Sequence, residues 1–362
     1  MDYLHTLDDI RSNIRQVIVG KDTVIDHLLI SLVCSGHVLI EDMPGLGKTT
    51  LASALASSLG CTFKRIQFTP DVLPSDITGF TMFNLKTGEQ ELHLGSIMNQ
   101  IVLADEINRT SPKTQSALLE IMQENQVTID GQTYTAPAPF MVLATQNPVE
   151  TAGTYPLPEA QLDRFFMRIS MGYPTHQEEM NILANHRPQR TAPRLQPVAS
   201  AQDVIQMQQM LDGIRCAPAV MDYVVSIAEA TRSLADVALG ISPRGSIALM
   251  QAAKGAALLE GRGYVLPDDV QRMARPVLCH RMVMRTKAGL RRQTPENVIA
   301  AVLHSQGGFT EALHSMAAVS DPEALNGTVP GIYASFFGPD PAGLLGVVLL
   351  TSLGTWGLPQ MV

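Results

Sequence analysis

A short stretch near the start of the chain, residues 37–50, constrains the fold more than any other feature. It reads HVLIEDMPGLGKTT: an apolar run, a loop with two glycines, and then Lys-Thr-Thr opening a segment whose leucines recur every fourth residue. Strand, glycine-rich loop and helix form the context in which backbone N–H groups surround a phosphate and a helix N-terminus faces it. The stretch therefore predicts a phosphate-binding loop within an α/β fold.

The residues of the predicted loop have separate tasks. Gly45 and Gly47 allow main-chain N–H groups to turn inward around a phosphate. Lys48 is predicted to reach the β- and γ-phosphates, and the Thr49 hydroxyl to bind Mg²⁺. The predicted nucleotide-contacting residues are Pro44, Gly45, Leu46, Gly47, Lys48, Thr49 and Thr50.

An aspartate occupies the position where such loops usually have their first glycine. Asp42 precedes the phosphate cradle itself, and a residue other than glycine can take that position if its backbone angles permit. Pro44 stiffens the approach to the cradle. We therefore interpret the loop as intact.

Polar residues also follow two further apolar runs. IVLAD ends in Asp105 and leads into Glu106, and MVLATQ leads into Asn147. Asp105 is predicted to hold the Mg²⁺ shell, Glu106 to polarise the attacking water and Asn147 to position it. The alternatives are an acidic helix cap after the first run and an Asn-Pro turn after the second. Helices separate the runs, so we expect a mainly parallel sheet.

Two arginines are candidates for phosphate contacts. Arg164 lies among apolar neighbours in LPEAQLDRFF, where it either pairs with Asp163 or Glu159 or reaches the γ-phosphate of a neighbouring subunit. Arg244 follows Ser242, a predicted N-cap, at the start of a helix whose dipole disfavours a cation there. A cation at that position suggests an anion nearby.

Composition limits the class of protein. Hydrophobic residues make up 45% of the 362 residues and charged residues 17%, which is typical of a globular chain. The net charge of -8 argues against a dedicated nucleic-acid binder. Four widely spaced cysteines are expected to be free thiols, and the charged N-terminal segment shows no apolar signal core, so we expect a cytoplasmic location.

Composition changes along the chain predict its domains. Residues 1–178 contain the strand and loop motifs and are expected to form the nucleotide-binding core. Residues 179–200 are polar and proline-containing and are expected to form a linker, and residues 201–304 read as an all-helical domain. An atypical apolar tail, 305–362, follows.

Three long runs resemble the MoxR family of AAA+ ATPases. They are FTPDVLPSDITGF, VLADEINRTSPKTQSALLEIMQENQVTIDGQTY and LATQNPVETAGTYPLPEAQLDRFFMRISMGYP, and the similarity is collinear from about residue 5 to 304. The resemblance implies an α/β fold: an αβα P-loop core with a mainly parallel sheet, then a small helical lid. It also implies ATP and Mg²⁺ as cofactors and a homo-oligomeric ring, expected to be a hexamer.

The resemblance also implies roles for single residues. Asn147 matches the family's first sensor, Arg164 its arginine finger and Arg244 the sensor arginine of its lid. Val19 and Gly20 match the segment beside the adenine. The loop, Asp105 and Glu106 match the family's phosphate, metal and water positions.

The function implied by the resemblance is remodelling or maturation of client proteins, driven by ATP hydrolysis that depends on an arginine from the next subunit. A von Willebrand factor A domain protein is the implied partner. The alternatives are a motor subunit of magnesium-chelatase type and a nucleotide-gated scaffold with little turnover.

Two inserted hairpins are predicted around turns. ITGFTMFNLKTGEQELHLG alternates around KTGE, and QVTIDGQTYTAPAPF alternates around Asp-Gly. The first presents Phe80, Met82 and Phe83 as candidate client contacts; the alternative is that both hairpins are ornaments of the sheet.

The tail after residue 304 departs from the resemblance. Residues 342–358 are mostly apolar, contain four glycines and lie at the short limit of a membrane span. The end resembles a fragment of a sodium:solute symporter. The interpretations are a fused or misread fragment, a membrane anchor and an apolar tail packed on the protein.

Overall fold

A computed structural model describes residues 3–149, 153–185, 195–285 and 293–305. The chain forms two compact units that divide between Leu211 and Asp212. The elements of the first unit are α1 (Tyr3–Arg15), α2 (Asp22–Val33), β1 (Val38–Glu41), α3 (Lys48–Ser58), β2 (Phe63–Gln67), α4 (Pro74–Thr78), β3 (Gly79–Asn84), β4 (Glu89–Leu94), β5 (Ile101–Asp105), α5 (Pro112–Glu124), β6 (Gln126–Ile129), β7 (Gln132–Thr135), β8 (Met141–Gln146), α6 (Glu159–Leu162), β9 (Met167–Ile169), α7 (His176–Asn185) and α8 (Ala201–Met210).

A five-stranded parallel sheet forms the centre of this unit, in the order β2-β5-β8-β1-β9. Every residue of β5 is buried, as are the first five of β8, which explains why both strands read as continuous apolar runs. All five strands point the same way, so their carboxyl ends meet at one edge. The predicted parallel sheet of an AAA+ core is confirmed.

Strand pairing aligns the ends that carry polar residues. Glu41 at the end of β1 pairs with Gln146 of β8, and Gln67 at the end of β2 pairs with Asp105 of β5. Ala104 pairs with Ala144, so Asp105 comes beside Thr145. The register therefore brings residues from distant parts of the sequence to one edge of the sheet.

The two predicted hairpins are present as separate two-stranded antiparallel sheets, β3–β4 and β6–β7. Asp130 and Gly131 both have positive φ, 49° and 80°, as a two-residue turn of this kind requires. Phe80, Met82 and Phe83 on β3 remain 44%, 49% and 57% exposed. The first hairpin thus presents apolar side chains to solvent within this unit.

The second unit contains α9 (Pro218–Ser233), β10 (Val237–Leu239), α10 (Pro243–Leu259), α11 (Pro267–Leu278), β11 (Val283–Met284) and α12 (Pro295–Ser305). The predicted helical lid is confirmed, with one correction to the all-helical expectation. Strands β10 and β11 pair antiparallel. They have three and two residues, too few for a repeating pattern to show in the sequence.

Helix α8 shows how the predicted domain boundaries compare with the structure. It lies in the stretch 201–304 that we expected to form the helical domain, but its Gln208 side chain donates to the Leu32 carbonyl of α2 at 2.8 Å. Residues 179–185 of the expected linker continue α7. The limits 1–178, 179–200 and 201–304 stay predictions.

No disulfide joins the four cysteines, as expected; all of them lie in the described part of the chain: Cys34, Cys61, Cys216 and Cys279. Burial raises the pKa of Cys61 to about 11. Burial also raises the pKa of Cys216, against a smaller opposing effect of Lys254. Both thiols are therefore protonated at neutral pH.

Within the described residues, no helix is long and apolar enough to cross a membrane. The apolar run 342–358 lies outside those residues, as does the rest of the tail from 306 onward. The interpretations of the tail stay predictions.

A buried histidine ties the sheet to the helix beside it. The Val142 N–H donates to His37 Nδ1 at 3.0 Å, so the proton of the neutral ring is on Nε2, which donates to the Met122 carbonyl at 2.8 Å. Burial lowers the pKa of His37 to about 4, against a smaller opposing effect of the Met122 hydrogen bond. The folded protein therefore holds this ring neutral.

His37 predicts a pH dependence of stability. Its pKa is near 6.5 unfolded and about 4 folded, so its contribution is fully present above pH 6.5 and is lost as pH falls toward 4. The loss of unfolding free energy from this one group should reach about 3 kcal/mol. Urea unfolding of wild type and His37→Gln from pH 7.5 to 4.5 measures it. The variant should be less stable at neutral pH with a flatter profile, whereas a replacement of exposed His5 should keep the wild-type slope. An unchanged slope in His37→Gln would contradict the assignment.

Candidate nucleotide-binding site

A cavity of about 340 Å³ lies at the edge where the carboxyl ends of the parallel strands meet. Its walls come from the loop between β1 and α3 and from the ends of β2, β5 and β8. The lining residues are Pro44, Gly45, Gly47, Lys48, Thr49, Thr50, Arg65, Asp105, Glu106 and Asn147. All of them except Arg65 were predicted from the sequence to act in one site.

The glycine loop has the backbone form that a phosphate cradle needs. Gly45 and Gly47 have φ of 84° and 86°, and Gly47 is the N-cap of α3, which begins at Lys48. A Cβ at Gly45 would meet nothing within 4 Å, so it is the positive φ, not lack of space, that favours glycine there. The N-terminus of α3 opens at the cavity, where its free N–H groups can bind an anion.

A hydrogen bond holds the Lys48 side chain at the loop. Its ammonium group donates to the Asp42 carbonyl at 2.8 Å. Burial lowers the Lys48 pKa, and the charges of Asp42, Asp105 and Glu106 partly offset this. The ammonium group therefore lies near three carboxylates, and a bound phosphate would compete with them for its positive charge.

Asp42 has a role that the sequence did not reveal. Its buried carboxylate accepts hydrogen bonds from the Ser170 hydroxyl at 2.6 Å, the Met171 N–H and the Gly172 N–H at 3.2 Å. These donors belong to the segment that follows β9, so the carboxylate joins the loop after β1 to the end of the neighbouring edge strand. The aspartate at this position is a structural brace, which supports the interpretation of an intact loop.

The Asp105 carboxylate accepts hydrogen bonds on both of its oxygens. Asp105 Oδ2 accepts from Arg65 Nε at 3.0 Å and from Arg65 Nη2 at 2.6 Å, while Oδ1 accepts from the Thr145 hydroxyl at 2.6 Å. Arg65 lies on β2, the edge strand of the sheet, in a run that carries no motif of its own. Only the pairing of β2 with β5 shows that this arginine reaches the cavity.

Glu106 begins a left-handed turn directly after β5. Its φ and ψ are 59° and 47°, an uncommon conformation for a non-glycine residue that often marks a functional site. Glu106 Oε2 accepts from Gln67 Nε2 at 2.6 Å and pairs with Arg109 at 3.2 Å. The turn and these partners present the carboxylate to the cavity.

The position of Asn147 agrees with both interpretations of this residue, an Asn-Pro turn and a residue that orients the attacking water. Its Oδ1 accepts the Val149 N–H at 3.2 Å, which is the turn that Asn-Pro signals, and the residue also lines the cavity beside Glu106. The sensor role stays a prediction.

Five predicted site residues are not part of the cavity lining. Leu46 lies between the two glycines of the loop, and Val19 and Gly20 lie between α1 and α2. Arg164 follows α6 and is half-buried. Arg244 is exposed in the first turn of α10, in the second unit, where Ser242 caps the helix as predicted. Their roles stay predictions.

The donor set of the cavity suits Mg²⁺. The Thr49 hydroxyl and the Asp105 carboxylate are oxygen ligands that line one cavity, and Mg²⁺ prefers oxygen ligands. Among the described residues no group of three or more His, Cys, Asp or Glu could hold a metal without help. A metal here would need oxygens from a bound phosphate, as is usual for Mg²⁺ in nucleotide sites.

The fold and the site together define an AAA+ ATPase. The defining features are a parallel sheet with a phosphate loop, the adjacent carboxylates Asp105 and Glu106 after β5, Asn147 after β8, and a helical lid later in the chain. Residues 37–167 match the model of the ATPase family associated with various cellular activities, and residues 229–302 match the AAA lid domain. The comparisons do not bear out the symporter resemblance of the tail.

Relatives over most of the chain narrow the class. Chaperone MoxR1 of Mycobacterium tuberculosis is 42% identical to this chain, and the match covers 83% of this chain and 82% of the relative. Uncharacterized protein YeaC of Bacillus subtilis is 50% identical, and the match covers 80% of this chain and 91% of the relative. The crystal structure of a candidate ATPase from Cytophaga hutchinsonii superposes with a TM-score of 0.79 at 36% identity, over 83% of this chain and 94% of that one. The chain belongs to the MoxR family of AAA+ ATPases.

The Asp42 brace predicts a loss of stability on truncation. In Asp42→Ala, the buried Met171 N–H and its neighbours lose a charged acceptor, which should cost about 2–4 kcal/mol of unfolding free energy. Ser170→Ala removes one of the three donors and should cost about 1 kcal/mol. Urea unfolding of both variants measures the difference. Equal stability of Asp42→Ala and wild type would show that the brace contributes nothing.

Proposed function

We propose that the protein binds Mg-ATP in this cavity and hydrolyses it to ADP and phosphate. The observation that carries the proposal is the single cavity in which the glycine loop, Lys48, Thr49, Asp105, Glu106 and Asn147 meet. Membership of an ATPase family supports the same reaction.

Each group has a task in the proposed reaction. Loop N–H groups and Lys48 hold the phosphates, while Thr49 and Asp105 hold Mg²⁺, which would neutralise charge on the β- and γ-phosphates. Glu106 accepts a proton from the attacking water, and Asn147 orients that water. Val19 and Gly20 would lie at the adenine.

We propose that a second copy completes the site. Arg164 is half-buried and matches the position of the family's arginine finger, so in this proposal it contacts a phosphate of an adjacent protomer. Such an arginine is worth about 10³–10⁵ in rate in related phosphoryl-transfer enzymes. If every site needs an arginine of its neighbour, a closed ring supplies one to each, and we propose a hexamer. Arg244 of the lid is proposed to sense the nucleotide.

The proposed work of the ring is chaperone-like remodelling or maturation of client proteins in the cytoplasm. A relative with 42% identity is named as a chaperone. The exposed Phe80, Met82 and Phe83 of the first hairpin would contact the client. A von Willebrand factor A domain protein is the proposed partner.

Glu106→Gln tests the hydrolysis step. The amide keeps the shape of the side chain but cannot accept the proton, so ATP binding should persist while turnover falls at least about 100-fold. Steady-state ATPase rates and the Kd of a fluorescent nucleotide measure the two effects. Glu120→Gln, on the exposed face of α5, is the matched control and should behave as wild type. Slow turnover in wild type, equal to that of Glu106→Gln, would instead favour the nucleotide-gated scaffold.

Mixed assemblies test the arginine finger. Arg164→Ala and Lys48→Ala should each be inactive alone, because one lacks the finger and the other lacks the phosphate lysine. Mixed in equal amounts, they should recover about a quarter of wild-type turnover, since half of the protomers keep Lys48 and half of their neighbours keep Arg164. No recovery from assembled mixtures, or full activity of Arg164→Ala alone, would rule out a finger supplied in trans.

A further inference from the structure

Thr145 lies beside Asp105, Glu106 and the end of β8 that leads to Asn147, all of which belong to the proposed catalytic site. It is on β8, two residues before Asn147, and its side chain is fully buried. Its hydroxyl contacts Asp105 Oδ1 at 2.6 Å and the backbone N–H of Glu106 at 2.9 Å. One hydroxyl group thus touches both of the adjacent acidic residues.

The direction of each hydrogen bond follows from its partner. An ionised carboxylate only accepts, so the Thr145 O–H donates to Asp105. A backbone N–H only donates, so the Thr145 oxygen accepts from Glu106. The single proton of the hydroxyl and one of its lone pairs are therefore both in use, which holds the group in one rotation.

The hydrogen bond to Glu106 acts where the backbone leaves the extended conformation of β5. Glu106 has φ 59°, and its N–H has left the ladder between β5 and β8, whose pairing ends at Ala104 and Ala144. Gln67 and Arg109 contact the Glu106 carboxylate, but the Thr145 contact is to the peptide group. Thr145 therefore holds the turn itself, and with it the starting point of the Glu106 side chain.

We propose that Thr145 is a positioning residue for hydrolysis: its hydroxyl sets the Asp105 carboxylate and the Glu106 backbone together relative to the bound nucleotide. The proposal rests on the proposed ATPase function. It implies that loss of the hydroxyl lowers the rate of the chemical step and has little effect on nucleotide binding, because the loop and Lys48 remain in place.

Two replacements of Thr145 separate positioning from packing. Thr145→Val keeps the branched shape and removes the hydroxyl, while Thr145→Ser keeps the hydroxyl and removes a methyl group. If Thr145 positions the carboxylates, valine is the damaging change; if it only fills the core, serine is at least as damaging.

A second buried threonine supplies the control. Thr114 on α5 is fully buried, and its hydroxyl donates to the Val72 carbonyl at 3.0 Å and contacts the Ser111 hydroxyl at 3.0 Å. Thr114→Val therefore removes two part-buried hydrogen bonds from the same unit without changing a residue of the cavity lining. It should lower stability as Thr145→Val does but leave turnover unchanged.

The experiment uses the full chain and measures kcat, KM, the Kd of a fluorescent ADP analogue with Mg²⁺, and hydrogen exchange of the segment 101–109. Thr145→Val should lose at least about tenfold in kcat, with KM and Kd within about twofold of wild type and faster exchange of the Glu106 amide. Thr145→Ser should retain most of the wild-type kcat and exchange.

The outcomes separate this proposal from the proposed function. Any of three results would overturn the positioning role. They are a wild-type kcat in Thr145→Val, equal losses of kcat in the valine and serine variants, and a Kd that rises by the same factor by which kcat falls. Absence of turnover in wild type would overturn the ATPase proposal and with it the hydrolytic role of Thr145. Hydrogen exchange would still test the structural part of the proposal in that case. An unchanged exchange rate of the Glu106 amide in Thr145→Val would show that Thr145 does not position the turn at Glu106.

Discussion

Parallel pairing of β1, β5 and β8 is the constraint on which the rest of the structure depends. Because these strands run the same way and are paired in register, the residue that ends each one lies at a common edge. The phosphate loop, the two carboxylates and Asn147 each follow one of these ends. Slippage of β5 by one residue would turn Asp105 toward the other face and remove it from the cavity.

Charge inside the site is balanced by residues that belong to the sheet. Asp105 is paired with Arg65 from the neighbouring strand and accepts from Thr145, while Lys48 faces the carboxylates. A carboxylate this buried needs such partners. In the proposed reaction, Mg²⁺ at Asp105 would compete with the Arg65 ion pair, so the affinity for the metal should depend on Arg65 as well as on the metal ligands.

Much of the candidate site could be predicted because its residues stand in contiguous motifs. The glycine loop, the Asp105–Glu106 pair and Asn147 each follow an apolar run that marks a strand, and the cavity contains them all. Arg65 and Thr145 could not be predicted in this way. Each lies inside a strand with no pattern around it, and its importance comes from which strand lies beside it. The β10–β11 pair was missed because strands this short carry no period.

The sequence by itself determined the class of this protein, the order of its elements and the residues of the phosphate loop, since these depend on local spacing and on apolar periodicity. Only the tertiary structure decided how distant residues act on one another: that Asp42 braces the segment after β9, that Arg65 neutralises Asp105 and that one hydroxyl holds both carboxylate residues. The reason is that hydrogen bonds and ion pairs act over a few ångströms, and strand order, which sets those distances, is not written in any single segment.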